Sequence, residues 1–382
     1  MPPLLETIRC SLSYYSLSMP MLKWIEIDLK ILRNNAHSIK RALNPGTKLM
    51  AVVKADGYGH GAVAVSRAAL SGGAACLGAL TADEGAVLRR SLPAAEIHLL
   101  APSLPEEAAE IIKNRLIPTA DSLAFIKTLN QRARDSKSPY PYHLDIDSGL
   151  GRWGVNPRGF REFITSASRL RGVRLMALST HLAYAPRTNM IEAEEKLAGF
   201  NKLGLKAKNI FPWLKMHAAN SALLCDLPHW QLDMVRIGNL LYGIYPADVY
   251  KDKAKGVPIN GLDRPWKFYA RIISVRKVKK GESIGYSCSY AASKDMTVAT
   301  IPAGYCDGLS MEPTERSIKI TAGFVYWGLI NGKKAFIAGK CGIAHSLLDV
   351  TGIPEAKIGA PVSLHVRRTA ANARIPRIYT SG

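Results

Sequence analysis

From Lys48 to Ile244, short apolar runs alternate with stretches whose apolar positions recur at helical spacing. The runs predict strands at KLMAVVKA (48–55), ACLGAL (75–80), EIHLLA (96–101) and RLIPTA (115–120). Four more follow at YHLDIDSG (142–149), LMALSTHLA (175–183), WLKMHAANS (213–221) and MVRIGNLLYGI (234–244). Between them, TADEGAVLRR and DSLAFIKTLNQRAR carry helical patterns, with Asp121 placed to cap the second. Pro157 suits the first turn of the helix after the fifth strand. Eight strands with crossover helices predict an α/β chain with a (β/α)8 barrel. A doubly wound sheet gives the same alternation and is the alternative.

The pattern changes after YPADVYKDKAKGVPINGLDRP, which reads as a linker rich in Gly, Pro, Lys and Asp. WKFYARIISVRKV, TVATIPAG, RSIKITAG and APVSLHVRR then follow as strand-like runs parted by turn residues, predicting a smaller all-β domain. The segment MLKWIEIDLKILRNNAHSIKRAL offers a strand, open to either domain, and then a helix. The expected division is residues 1–20 as a disordered extension or the product of a start codon placed too early, 21–255 as the barrel, and 262–382 as the C-terminal β domain.

Composition narrows the classes. An apolar fraction of 47% and a charged fraction of 21% are those of a soluble globular protein, and no apolar run is long enough to span a bilayer. The first twenty residues hold one basic residue and no continuous apolar core, so they make a poor signal peptide. The six cysteines include no C-x-x-C pair, which argues against a disulfide framework or a structural zinc site and for a reducing cytoplasm. The formal net charge of +21 permits attraction to polyanions. The basic residues are spread along the chain without a nucleic-acid-binding signature, so specific nucleic-acid binding is not expected.

A β/α barrel takes its catalytic groups from the C-terminal ends of its strands and the loops that follow. Lys54 ends the first predicted strand, Asp147 and Arg152 follow the fifth, and His181 ends the sixth. Asn220 and Ser221 end the seventh, and the eighth carries Arg236 followed by Gly238 and Asn239. Barrels commonly bind phosphate after strands seven and eight, where Ser221 and the Gly238–Asn239 turn fall. A lysine across the mouth from a phosphate pocket points to a Schiff base with a phosphorylated aldehyde, which pyridoxal 5'-phosphate fits.

These segments, with AVVKADGYGHG, HLDIDSGLGRWGV, STHLAYA, HAANSALL, IGYSCSY, IPAGYCDG and RIPRIY, make the chain resemble the alanine racemase family over roughly Met21 to Tyr379. The resemblance implies a homodimer that uses pyridoxal 5'-phosphate on a small amino-acid substrate. Lys54 would carry the cofactor and act as one base. Tyr58, Ser221, Gly238 and Asn239 would hold its phosphate. Arg236 would face its ring nitrogen, and His181 would pack beside the ring and bond to Arg236. Arg152 would meet the substrate carboxylate, Tyr286 would be the second base from the partner subunit, and Tyr305 would line substrate entry.

Three positions depart from the family pattern. Asp145 stands where many relatives have a lysine modified to a carbamate, and is expected to orient Arg152 directly or through water. GKCGIAHSLLDV places Gly342, Ile343, Ala344 and His345 where the family has a Cys-Met-Asp-Gln segment, leaving the Ile343 backbone N–H for the carboxylate. Ala373 precedes RIPR where some relatives have a tyrosine. The expected activity is alanine racemisation supplying D-alanine for peptidoglycan in a bacterial cytoplasm. A racemase of broader range, a decarboxylase, and a degenerate cofactor holder are the alternatives.

Overall fold

The computed structural model describes residues 20–134, 138–247, 250, 259–288, 290–309, 327–366 and 368–381. The expected N-terminal extension therefore lies, but for Pro20, outside the described residues. The chain divides into two compact units, Asp28–Pro265 and a second that joins the chain up to Ile27 with Trp266–Thr380. The opening segment is thus shared, its strand β1 (Lys23–Asp28) going to the second unit and its helix Leu29–Arg41 to the first.

In the first unit the strands are β2 (Lys48–Val52), β3 (Cys76–Ala79), β4 (Ile97–Pro102), β5 (Ile117–Ala120), β6 (Tyr140–Ile146), β7 (Val173–Thr180), β8 (Lys215–His217) and β9 (Met234–Ile237). Each overlaps one of the eight segments expected from the apolar pattern, β6 and β7 starting two residues earlier than expected. All pair in parallel with their sequence neighbours, and β9 pairs with β2. The seam between β8 and β9 is closed by Asp233 N–H to the Met216 carbonyl at 3.0 Å and Arg236 N–H to the Ala219 carbonyl at 2.9 Å. A doubly wound sheet reverses its strand order part-way and stays open. This sheet keeps one order and closes, so it is a (β/α)8 barrel.

Outward-facing Ile97, Leu99, Leu144, Leu178, Val235 and Ile237 are wholly buried. Each such side chain contributes about 1.5–3 kcal/mol. Helix Ala82–Ser91 forms where expected, and helix Leu123–Arg132 is capped one residue later than expected. Ser122, not Asp121, has the extended backbone of a cap and accepts from Phe125 N–H at 3.4 Å. Pro157 opens a short 3-10 turn that runs into helix Phe160–Ala167.

The barrel lumen is unusually polar. His98 on β4, His143 on β6 and His217 on β8 lie in ring contact, with centroids 4.7 and 5.1 Å apart. Side chains from alternate strands can meet only through the lumen, where a barrel ordinarily packs branched aliphatics in layers.

The stretch after Tyr245 is a correction to the linker reading. Tyr250 is fully buried and donates its hydroxyl to Asp226 at 2.6 Å. Asn35 holds the Asp263 carbonyl at 2.8 Å, tying the far end of the stretch to the first helix. A phenol and an amide with buried partners thus hold Tyr250 and Asp263, the described parts of a stretch that its Gly, Pro and Lys content made look loose.

The second unit adds β10 (Trp266–Arg271), β11 (Ser274–Val278), β12 (Met296–Ile301), β13 (Trp327–Ile330), β14 (Lys333–Ile337), β15 (Ser346–Asp349), β16 (Pro361–Leu364) and β17 (Arg377–Thr380). Among the described residues they form one sheet in the order β11-β12-β15-β14-β13-β16-β10-β1-β17. The β13–β14 hairpin turns on Asn331 and Gly332, both at positive φ, as the twist of a two-residue hairpin demands.

Candidate active site

The barrel mouth is organised around the backbone that follows β2. Val53 N–H bonds across to the Gly78 carbonyl, and Lys54 then begins a single turn, Lys54–Tyr58, with an unusual hand. Ala55, Asp56, Gly57 and Tyr58 all have φ between 51 and 62°, a left-handed helical turn in which only one residue is glycine. For an L-residue this region costs roughly 1–2 kcal/mol each, so the turn persists only because its surroundings hold it.

Those surroundings are explicit. The Glu84 carboxylate accepts from Ala55 N–H at 2.8 Å and from Leu80 N–H at 2.7 Å. Asp56 Oδ1 accepts from Ala62 N–H at 2.8 Å. His60 is buried with Nδ1 3.0 Å from the Gly57 carbonyl, and its ring stacks on Tyr242 at 4.6 Å. Tyr58 packs on the same Tyr242 ring at 4.8 Å. The effect is to aim the Lys54 amine inward from a rigid support while Tyr58 crosses the mouth towards β9.

Lys54, Tyr58, Asp145, Arg152, His181, Ser221, Arg236, Gly238 and Asn239 line one cavity of about 260 Å³, so every site residue expected on the barrel is brought to one place. Arg236 is buried at its centre. One guanidinium nitrogen donates to His217 Nδ1 at 2.7 Å and to the His217 carbonyl at 3.0 Å. The other donates to the Thr180 and Ala218 carbonyls at 2.6 and 3.1 Å and reaches His181 Nδ1 at 3.4 Å. Burial, eased by Asp145, brings its pKa down to about 10.

The surrounding charges fix the protonation of their neighbours. Burial and then the Arg152 cation hold the Lys54 amine below its ordinary value. Burial, then Arg236, Arg152 and Lys54, push His181 down to about 3, so it is neutral. Asp145 is buried and accepts from Ser179 Oγ at 2.5 Å; burial raises it to about 6 against the opposing pull of Ser179 and the two arginines. Among the described residues Asp145 and Arg152 make no ion pair, so of the two routes expected, direct or through water, the direct one is not formed. Burial lowers the Arg152 pKa, while the Asp145 charge still acts to raise it. The Arg152 guanidinium lies over the Trp153 ring at 3.7 Å.

Opposite Lys54, Ser221 Oγ accepts from Leu240 N–H at 3.4 Å, and Asn220 caps the short helix behind it. Gly238 is required here. A Cβ on it would stand 2.4 Å from Tyr58 Oη, so the phenol can lie against this peptide only because the side chain is absent.

Tyr286, Tyr305 and Ile343 belong to the second unit. Tyr305 N–H donates to the Gly342 carbonyl at 3.1 Å and Cys306 N–H to the Ile343 carbonyl at 2.9 Å. Gly304 permits this approach, since a Cβ there would overlap the Gly342 oxygen. His345 turns back over Gly342, and its ring meets Tyr286 at 5.7 Å. Tyr286 is 57% exposed and Ile343 62%.

Several residues of the barrel site went unread in the sequence. His217 sits inside HAANS and faces the lumen two positions from Ala219, as strand alternation would have shown. Ser179 stands in the same relation to His181. Glu84, reaching back to Ala55, left no local signal because its partner is distant in the chain.

The arrangement offers an amine with depressed basicity, a buried cation, a neutral imidazole and a polar cradle between Tyr58 and Ser221. The model of the alanine racemase N-terminal domain matches residues 27–246, and that of the C-terminal domain matches 266–378. The alanine racemase of Nostoc sp. is 34% identical over 89% of this chain and 86% of its own, and that of Halothermothrix orenii is 32% identical over 89% and 86%. The solved alanine racemase of Clostridium difficile superposes with a TM-score of 0.85 at 26% identity, covering 95% of this chain and 96% of its own. The Bacillus anthracis enzyme with bound L-Ala-P gives 0.82 at 26%, over 95% and 96%. With both domain models matched in order and the mouth residues gathered on one barrel, this chain belongs to the alanine racemase family.

Proposed function

We propose that this protein interconverts L- and D-alanine with pyridoxal 5'-phosphate, and that it supplies D-alanine for peptidoglycan in a bacterial cytoplasm. The observation that carries the reading is the Lys54 amine, held on a strained turn in a cavity where burial, and then the Arg152 cation, lowers its basicity. The residues present fit the cofactor. Tyr58 Oη, lying against Gly238, would hold the phosphate together with Ser221 Oγ and the Gly238 and Asn239 peptides, all of which line the same cavity. The lysine stands across the same cavity.

When bound, the cofactor supplies covalent attachment through its aldehyde and an electron-withdrawing ring that acidifies the substrate α-carbon. Lys54 Nζ, its basicity lowered by burial and then by Arg152, takes or returns the α-proton on one face. Tyr286 Oη serves the opposite face, entering from the partner subunit of a homodimer; its 57% exposure here supports that role. Arg152 binds the substrate carboxylate, Asp145 biases its orientation by charge, and Tyr305 and the Ile343 N–H border the entry. Arg236 faces the ring nitrogen and, having only donors, leaves that nitrogen unprotonated. His181 stays neutral and packs beside the ring. Among the described residues no helix is long and apolar enough to cross a membrane.

The test is α-proton exchange in D₂O with the cofactor-loaded protein and a panel of L-amino acids, with D-products assayed. Exchange confined to alanine with D-alanine formed is expected. Exchange across larger side chains would move the assignment to a broad racemase, and no exchange from a cofactor-loaded protein would refute turnover.

A further inference from the structure

The hydrogen bonds from Arg236 through His217 to His143 run in one sense. Arg236 has only N–H groups to offer, so His217 Nδ1, 2.7 Å away, is an acceptor and the His217 proton sits on Nε2. That Nε2–H points at His143 Nδ1 at 3.1 Å, which places the His143 proton on Nε2 in turn. Beyond this pair, the Glu96 carboxylate lies 2.9 Å from His98 Nε2, so a His98 proton faces Glu96. His98 Nδ1 is buried with no hydrogen-bond partner among the described residues, and the His98 ring only touches that of His143, tilted at 4.7 Å, so the hydrogen-bonded run ends at His143.

We propose that His143 and His217 form a directional, hydrogen-bonded pair of neutral imidazoles that positions the Arg236 guanidinium in the lumen. This rests on the reading that Arg236 faces the cofactor ring. Apart from His217 and the more distant His181, the Arg236 hydrogen bonds go to backbone carbonyls, which fix its place without supplying a counter-charge. The two hydrogen-bonded imidazoles polarise one another and keep the acceptor Nδ1 of His217 turned to the guanidinium, as ordered hydrogen bonds do in a low dielectric. An imidazolium at either ring would reverse the effect by repelling Arg236. Burial, then His98 and Arg236, hold His143 well below the ordinary histidine value, and burial, then Arg236, hold His217 there. His143 is thus a positioning residue that acts through His217.

Long-range ¹H–¹⁵N correlation on the deuterated, ¹⁵N-histidine-labelled holoenzyme reads the tautomers directly. The expected result is a proton on Nε2 and none on Nδ1 in His143 and His217. His143→Leu, which deletes the acceptor, should shift the pH midpoint of the cofactor's visible absorption by at least half a unit. It should also lower kcat about tenfold with KM for alanine changed less than twofold, while His143→Gln, which keeps an acceptor and a donor, restores most of both. An Nδ1–H tautomer at His217 or His143, or a His143→Leu holoenzyme with the wild-type spectrum and kcat, would overturn the proposal. Absence of racemisation by the wild-type holoenzyme would count against the functional reading, and the tautomers would still decide this one.

Discussion

At the scale of single residues the site depends on one missing side chain and one buried acid. Gly238→Ala puts a methyl group 2.4 Å from Tyr58 Oη, so the phenol must leave its place against the peptide. Pyridoxal-phosphate affinity, followed by fluorescence titration, should fall about tenfold, with about 1–3 kcal/mol lost in stability from the forced repacking. Asp145→Asn removes the buried charge that biases both Arg152 and Arg236. Asp145 is raised to about 6, so kcat/KM should rise with pH through that value in the wild type. The variant should lose that limb and fall about tenfold at neutral pH. An unchanged profile would show that Asp145 serves packing alone.

At the scale of elements, the left-handed turn after β2 is both the most strained and the most useful piece of backbone. Ala55→Gly relieves a residue held at φ 52°. It should raise stability to urea by up to about 1 kcal/mol. Glu84→Ala removes the carboxylate that holds Ala55 and Leu80 N–H groups and should cost about 1–3 kcal/mol, with Lys54 less well aimed and kcat reduced. Urea titration and steady-state kinetics check both. The eight barrel strands were legible because each is a short apolar run between turn signals, and Lys54, His181 and Arg236 because they end or follow such runs. The hand of the turn was hidden: Ala55 and Asp56 are poor formers of it, and what imposes it comes from Glu84 and His60. The Asn331–Gly332 hairpin shows the contrary case, where a local pair is enough. His217 was in view inside HAANS, yet its meaning comes from Arg236 on another strand. Tyr250 was misread with its linker because a buried partner such as Asp226 leaves no mark on nearby composition.

At the scale of the whole molecule, buried histidines set the response to acid. His181 is held at about 3, and His143 and His217 well below the ordinary value, so between that value and the folded one the unfolded chain binds the extra proton. Stability therefore falls as pH drops below about 6.5. Asp145 has the opposite sign, because its folded value is the higher one, and it offsets one of the three. Stability should be lost at about 1.4 kcal/mol per pH unit for each net proton, visible as a falling Tm from pH 7 to pH 5. A flat Tm over that range would mean the histidines are already charged. A different consequence follows from the sheet that holds β1 between β10 and β17, with Ile25 N–H on the Pro376 carbonyl. A strand made before the barrel waits for β10, made after it, and for β17, the last strand of its sheet. A ribosome adding roughly 5–20 residues per second completes the barrel segment while β1 still has bare edges, on the order of ten seconds before β17 emerges. During that interval an early strand with Trp24, Ile25 and Ile27 must be kept from pairing with other chains. The order of synthesis thus makes this chain's exposure to aggregation a matter of timing.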